Sequence, residues 1–337
     1  MTEAARSAPL SAPVATLTLN PAIDVTIGLD RLETGEVNRA KTYRAEPGGK
    51  GVNVAATLAA GGVSAAATGI LGRDNADIFS RFFAERKIEN GFLLTEGATR
   101  SNIKLVSAAE TTDVNLPGLP ATAELLNELR QMLAAAQSRL LILSGSVPPH
   151  CPDNFYADFL AFYAEKAAHM AKPAKCIVDC SGAPLKALLA GRIRPFAIKP
   201  NNDELAEWAG KPLNSREDIL REARALHKTG IALVVISMGA EGALFVAGPH
   251  AYHAGIKLAK VESTVGAGDA MVAGIASALL KIDESGKLDA IDAAALEHIA
   301  KTATLWASGK LLCHGPALPP AAQMQALAAQ MRCEKLS

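Results

Sequence analysis

The sequence predicts an α/β protein: a ribbon of mostly parallel strands, doubly wound, with helices on both faces and a small second β-sheet beside it. Three observations carry this. From residue 121 onward, strand-length apolar runs alternate with helix-length runs, the pattern of a parallel sheet covered on both sides. Polar clusters fall just after the apolar runs, at the edge where open α/β sheets bind ligands. Residues 25–46 mix polar and β-branched residues and read as thin, half-exposed strands outside the main core, and 99–116 reads as a hairpin with one wet face.

Composition sets the scale. A chain of 337 residues suits one large α/β domain with an insertion. It is 49% hydrophobic but only 4% aromatic, so the core is built from Ala, Val, Ile and Leu. Lys+Arg and Asp+Glu balance at 34 each, which leaves no electrostatic footprint for nucleic acid or a membrane surface. The apolar runs are too short to predict a transmembrane helix. Residues 1–13, rich in Ala, Ser and Pro, lack an apolar h-region and are expected to be a disordered tail rather than a signal peptide. The five cysteines are scattered, and Cys176 and Cys180 do not have zinc spacing, so free thiols in a reducing cytoplasm are expected. The seven histidines form no HExxH-type cluster.

Taken in order, Val14 to Leu19 is an apolar run and predicts a buried strand, ended by Pro21, which cannot donate to a central ladder. Asp24 then falls at the carboxyl end of that strand; alone it is equally a turn or capping residue. Pro47-Gly48-Gly49-Lys50-Gly51 leads into an Ala-rich helix to about Ala60, with Asn53 one turn inside. Glycines at a helix start allow close backbone approach. This is not a Walker phosphate loop, because Arg44 and Gly51 stand where that motif needs Gly and Ser or Thr. A strand over 64–70, a helix over 74–86 and a strand over 91–95 follow. The runs Thr99 to Lys104 and Thr112 to Leu116 alternate polar with apolar and predict a hairpin with one wet face. Arg100 and Lys104 share a face there; such cations serve either to solvate an exposed sheet or to recognise phosphate.

Regular βα repetition then takes over, with helix 121–137, strand 140–143 and Ser144-Gly145-Ser146; helix 153–170 and strand 176–179; strand 196–198 and Lys199-Pro200-Asn201-Asn202-Asp203-Glu204; helix 215–228, strand 233–236 and the turn from Ser237 through Gly239 to Gly242. Late in the chain, Ser263-Thr264-Val265-Gly266-Ala267-Gly268-Asp269 opens a helix whose apolar stripe is Met271, Val272, Ile275, Leu279 and Leu280. Free N–H groups at a helix start make an anion site. A carboxylate in the same turn repels an anion, and makes chemical sense if Asp269 takes a proton from an attacking hydroxyl. A dinucleotide fingerprint is excluded, since Met271 occupies the position of its third glycine.

The two glycine motifs in this order, Gly48 to Ala55 and Ser263 to Asp269, with Asn201-x-x-Glu204 between them, resemble the ribokinase-like, or PfkB, family of sugar kinases. The likeness runs from about Val14 to the C-terminal helices. Thr18 to Asp24, Thr99-Arg100-x-Asn102-x-Lys104, Thr112-Asp113-x-Asn115 and Ser144-Gly145-Ser146-x-Pro148 are most similar to the 1-phosphofructokinase branch. The resemblance implies a kinase core over 14–23, 46–98 and 117–337, with a β lid over 24–45 and 99–116. It implies Asp269 as base, with the amides of Gly266, Ala267 and Gly268 as anion hole. Asp24, Gly48, Gly49, Asn53 and Ser144 are then expected to hold the sugar, and Lys50, Arg100 and Lys104 its phosphate. Lys199, Asn201, Ser237, Gly239, Gly242 and Thr264 are expected to line the nucleotide groove, and Glu204 to act through water on Mg²⁺. The implied substrates are ATP and fructose 1-phosphate, in the cytoplasm, with a homodimer through the lid left open. Ala307 stands near where some relatives carry an Asn beside the adenine, so the base contacts are undetermined. The rivals are tagatose-6-phosphate kinase, 6-phosphofructokinase, and a catalytically silent sugar-phosphate sensor, for which Asp269 has no use.

Overall fold

The computed structural model describes residues 9–107, 110–284, 288 and 290–337. The chain opens with β1 (Val14–Thr18), β2 (Ala22–Gly28), β3 (Thr42–Gly48) and α1 (Lys50–Ala60), followed by β4 (Ala65–Gly72), α2 (Asp77–Arg86) and β5 (Glu89–Thr95). The hairpin β6 (Ser101–Val106) and β7 (Thr111–Asn115) precedes α3 (Ala123–Ala135), β8 (Leu140–Ser144), α4 (Phe155–Ala167), β9 (Lys175–Asp179) and α5 (Gly182–Ala190). Then come β10 (Ala197–Ile198), α6 (Asn202–Ala209), α7 (Arg216–His227), β11 (Leu233–Ser237), β12 (Ala243–Ala247) and β13 (His250–Gly255). The chain ends with α8 (Ala267–Glu284), α9 (Ala293–Lys310), α10 (Ala321–Ala329) and β14 (Arg332–Leu336).

Ten strands form the main sheet in the order β14-β13-β12-β11-β10-β9-β8-β1-β4-β5. The seven from β11 to β5 pair in parallel, as the βα repetition predicts. Strand alternation splits the core into two layers. Val14, Leu140, Ile142 and Val235 face one layer, closed by α1, α2, α8 and α9. Ala15, Leu17, Leu141, Leu143 and Val234 face the other, closed by α3 to α7. In the buried β1–β4 pair, Thr68 Oγ1 donates to Thr16 O at 2.8 Å, so a polar side chain inside the sheet is satisfied. Helix α8 approaches α9 closely because Gly274 lacks a side chain; a Cβ there would lie 2.7 Å from Ala303 Cα.

The sheet departs from the repetition at its far edge. β12 pairs antiparallel with β11, β13 with β12, and β14 with β13. For the first two pairs the connections leave no other choice: a parallel return needs a crossover of about a dozen residues, whereas only short turns separate β11 from β12 and β12 from β13. The chain accordingly ends in an edge strand rather than in helices alone.

The small sheet has the order β3-β2-β6-β7, with β2 and β6 parallel and the outer pairs antiparallel. Asp24 therefore belongs to this sheet and not to the end of β1: Pro21 breaks the first ladder, and the chain becomes extended again at Ala22. Most of the residues expected as a tail over 1–13 lie outside those described, but Leu10 and Ala12 are buried and the amides of Ser11 and Ala12 both donate to Glu89 Oε2 at 3.0 Å. That segment is packed against the start of β5. All five cysteines are free. Among the described residues, no helix is long and apolar enough to cross a membrane.

Candidate active site

A cleft of about 940 Å³ opens between the small sheet and the carboxyl ends of β1 and β8. Asp24, Lys50, Asn53, Arg100, Lys104 and Lys310 are among the residues that line it. Its floor is shaped by the first turns of α1 and α8. Gly49 caps α1 with φ 114°, and a Cβ there would press on Thr18 Cγ2 at 2.8 Å and Pro21 Cα at 3.1 Å. A Cβ at Gly48 would collide with the Asp24 carboxylate. The two glycines thus let the α1 start, with its unpaired amides, lie beside the end of β1 and under Asp24.

Asp269 sits in the first turn of α8 and is 7% exposed. Its Oδ2 accepts a hydrogen bond from Asn53 Nδ2 at 2.9 Å, which joins the two glycine motifs directly. Burial, and next the negative charge of Asp179, push the Asp269 carboxyl up to about 6; Asn53, Lys50 and Lys199 oppose the shift. Asp179, at the end of β9, is itself buried and pairs twice, with Lys50 Nζ at 3.3 Å and Lys199 Nζ at 3.2 Å. Burial works to raise the Asp179 carboxyl, but Lys199 and Lys50 together bring it below its ordinary value. Lys50 shows the reverse balance: burial lowers it, and Asp179 and Asp269 more than restore it, so its ammonium is held charged.

On the small sheet, Asp24 Oδ1 accepts from Asn102 Nδ2 at 2.9 Å, and Asn102 Oδ1 accepts from Arg100 Nη1 at 2.9 Å. Burial raises the Asp24 carboxyl, against the pull of Asn102, Arg100 and Lys104. Arg100 is more committed than a free phosphate ligand. Its Nε donates to Pro21 O at 3.3 Å, Nη2 to Asn20 O at 3.3 Å, and Nη1 also to Leu116 O at 3.2 Å. It pins the β1–β2 corner to the hairpin while still lining the cleft. Lys104 pairs with Asp113 at 3.5 Å.

The remaining expected residues lie apart from this lining. Asn201 caps α6, accepting from Glu204 N at 2.8 Å, while Glu204 Oε2 accepts from Asn201 N at 2.8 Å. Asn201 bridges to Ser237 in parallel. Gly239 and Gly242 form the tight turn after β11, where Met238 N donates to Gly242 O at 2.8 Å. Thr264 is exposed on the loop before the α8 turn. Ser144 is fully buried in register with Thr18, and its hydroxyl has no protein partner; Gly145 and Ser146 line the cleft in its place. Ala307 is packed in the core.

Among the described residues, no group of three or more His, Cys, Asp or Glu could hold a metal. Mg²⁺ does not need such a cage, since it keeps several waters and takes one or two carboxylates with substrate phosphates. Glu204 fits that style of binding, because its capping bond uses Oε2 and leaves Oε1. Sequence reasoning missed two residues, Asp179 and Lys310. A polar residue closing the apolar run 176–178 is a signal for the first. Lys310 gives none, because a lysine in a last helical turn is ordinary.

Residues 17–322 match the profile of the pfkB family carbohydrate kinases. The chain is 44% identical over 308 residues to the 1-phosphofructokinase of Xanthomonas campestris pv. campestris, covering 90% of this chain and 92% of the relative. It is 37% identical over 321 residues to that of Rhodobacter capsulatus, covering 94% and 95%. Among solved structures, phosphofructokinase-2 from Escherichia coli in complex with fructose-6-phosphate superposes with a TM-score of 0.80 at 26% identity, covering 94% of this chain and 98% of that one.

The Asp269 environment makes a prediction about stability. The folded-state carboxyl is raised from 3.8 to about 6. Below 3.8 both folded and unfolded chains hold the proton and nothing is lost; as pH rises through about 6 the folded state must ionise a buried group, and stability falls. Asp269→Asn removes that loss. Unfolding curves at several pH values should show the variant gaining on the wild type between pH 4 and pH 7, by roughly 2–3 kcal/mol. A difference that is the same at every pH would place Asp269 in the ordinary carboxylate range.

Proposed function

We propose that this chain, which belongs to the pfkB family of carbohydrate kinases, transfers the γ-phosphoryl group of ATP to the free primary hydroxyl of fructose 1-phosphate, giving fructose 1,6-bisphosphate and ADP. The chain is a sugar-phosphate kinase, and its relatives at 44% and 37% identity over nearly their whole length are 1-phosphofructokinases. The observation that carries the chemistry is the buried Asp269 beside the Gly266–Gly268 turn, bonded through Oδ2 to Asn53.

Asp269 accepts the proton of the sugar hydroxyl as its oxygen bonds to the γ-phosphorus and the bond to the β-phosphate oxygen breaks. A carboxyl raised to about 6 is still ionised at pH 7, yet is a stronger base than an ordinary Asp. The Asn53 bond fixes Oδ2 and leaves Oδ1 toward the acceptor. The amides of Gly266, Ala267 and Gly268 hold the charge developing on the transferred group. Lys50, charged and directed by Asp179, stands between the two helix starts, where it neutralises phosphate. Asp24, held by Asn102, takes sugar hydroxyls, with Gly48, Gly49 and Asn53 shaping the floor. The remaining face of Arg100, together with Lys104, receives the phosphate already on the sugar. Lys199, Asn201, Ser237, Gly239, Gly242 and Thr264 border the nucleotide. Mg²⁺, held through water by Glu204, would supply charge neutralisation on the phosphates. The small sheet closes over the cleft and keeps water from the γ-phosphate. The reaction belongs in the cytoplasm, and two copies pair through the lid, where Tyr43 and Val114 stand exposed.

Turnover with ATP and Mg²⁺ across fructose 1-phosphate, fructose 6-phosphate, tagatose 6-phosphate, ribose and adenosine tests the acceptor. Fructose 1-phosphate should give the highest kcat/KM. A clear preference for another acceptor contradicts the assignment. Asp269→Asn keeps shape and helix position but cannot take the proton, so kcat should fall by about 10²–10⁴ with substrate affinities little changed. Near-wild-type kcat in a folded variant would refute Asp269 as the base.

A further inference from the structure

Lys310, the last residue of α9, is 4% exposed, yet it lines the same cleft as Lys50, Asn53 and Gly266. Its ammonium donates to Cys313 O at 3.2 Å. Among the described residues, no carboxylate pairs with it, and Glu46 and Asp269 act on it only at longer range. Burial holds its pKa below the ordinary lysine value.

Its place relative to the α8 turn is specific. A Cβ at Gly266 would lie 3.3 Å from Lys310 Cε and 4.0 Å from its Nζ, and a Cβ at Gly268 would lie 3.6 Å from Lys199 Nζ. The Gly-Ala-Gly turn is therefore flanked by a lysine at each end. The two differ in one respect: Lys199 is paired with Asp179 at 3.2 Å, and among the described residues no carboxylate forms an ion pair with Lys310, which feels Asp269 and Glu46 only at longer range. A buried charge without a counter-charge is costly. An anion arriving in the cleft would supply a direct partner.

We propose that Lys310 is a further catalytic residue, whose ammonium contacts the phosphoryl group in transit at the Gly266 end of the turn, as Gly266 to Gly268 amides hold it from the α8 side. This rests on the phosphoryl-transfer function proposed above. The ammonium keeps its proton throughout and neutralises charge only. The glycine at 266 then has a second reason: any side chain there would press on the Lys310 stem and stand between the ammonium and its target.

The test is Lys310→Met, which preserves length and apolar stem and removes the charge. With ATP, Mg²⁺ and the acceptor that the wild type turns over best, kcat should fall by about 10²-fold, as for loss of one oxyanion donor, while the KM of the sugar phosphate changes by less than about threefold. Without ligand, the melting temperature should hold or rise, because an unbalanced buried charge is gone. A kcat within about threefold of wild type, or a lower ligand-free melting temperature, overturns the proposal and makes Lys310 structural. The two proposals fail separately. A wild type that turns over another acceptor loses the fructose 1-phosphate assignment and leaves the Lys310 comparison intact. A wild type that transfers phosphate to no acceptor loses both.

Discussion

The site depends on one buried carboxylate that is paired twice. Asp179 stands at the end of β9 between Lys50, from the start of α1, and Lys199, from the end of β10. Two ammonium groups brought together without it would repel each other. With Asp179 between them Lys50 is held charged and both ammonium groups are fixed in direction. The same negative charge raises Asp269. One residue thus sets two opposite conditions, lysines held in place in the cleft and a neighbouring carboxyl raised in pKa, as the proposed transfer requires. Removing Asp179 would leave both lysines uncompensated, which is why a buried pair is weak evidence for stability and better evidence for a built site.

Around that clamp, the chain brings two helix starts to face the same space. Asn53 and Asp269 lie 216 residues apart in sequence and 2.9 Å apart in space. The α1 start uses no side-chain cap, so its amides stay available for an anion. Asp269 is a carboxylate set among those amides and lysines. Lys50, Lys199 and Lys310 all act on it, and Asp179, paired with the first two, offsets part of their charge.

Much of the architecture was legible in the sequence, because helix and strand periods are local. The runs from 140 to 236, the hairpin 99–116 and the glycine-led helices at 50 and 267 appear where the patterns place them. What could not be read depends on distance along the chain or on side-chain direction. The antiparallel edge follows from two short connections. Ser144 shares a face with Thr18, which lines the cleft, but is itself fully buried, a depth that the apolar run before it does not reveal. Arg100 was legible as a cation near the cleft, but its ties to the carbonyls of Asn20, Pro21 and Leu116 appear only once the β1–β2 corner is folded. Asp179 and Lys310 acquire meaning solely from what they meet.

The most direct test of the central claim is to titrate Asp269 itself in the ligand-free protein, following its carboxyl carbon by NMR and assigning it by its loss in Asp269→Asn. Ligand-free conditions matter because phosphate monoesters also titrate near pH 6. The account predicts a midpoint near 6; a midpoint at the ordinary 3.8 would contradict it, since the burial and the Asp179 charge would then leave Asp269 unperturbed.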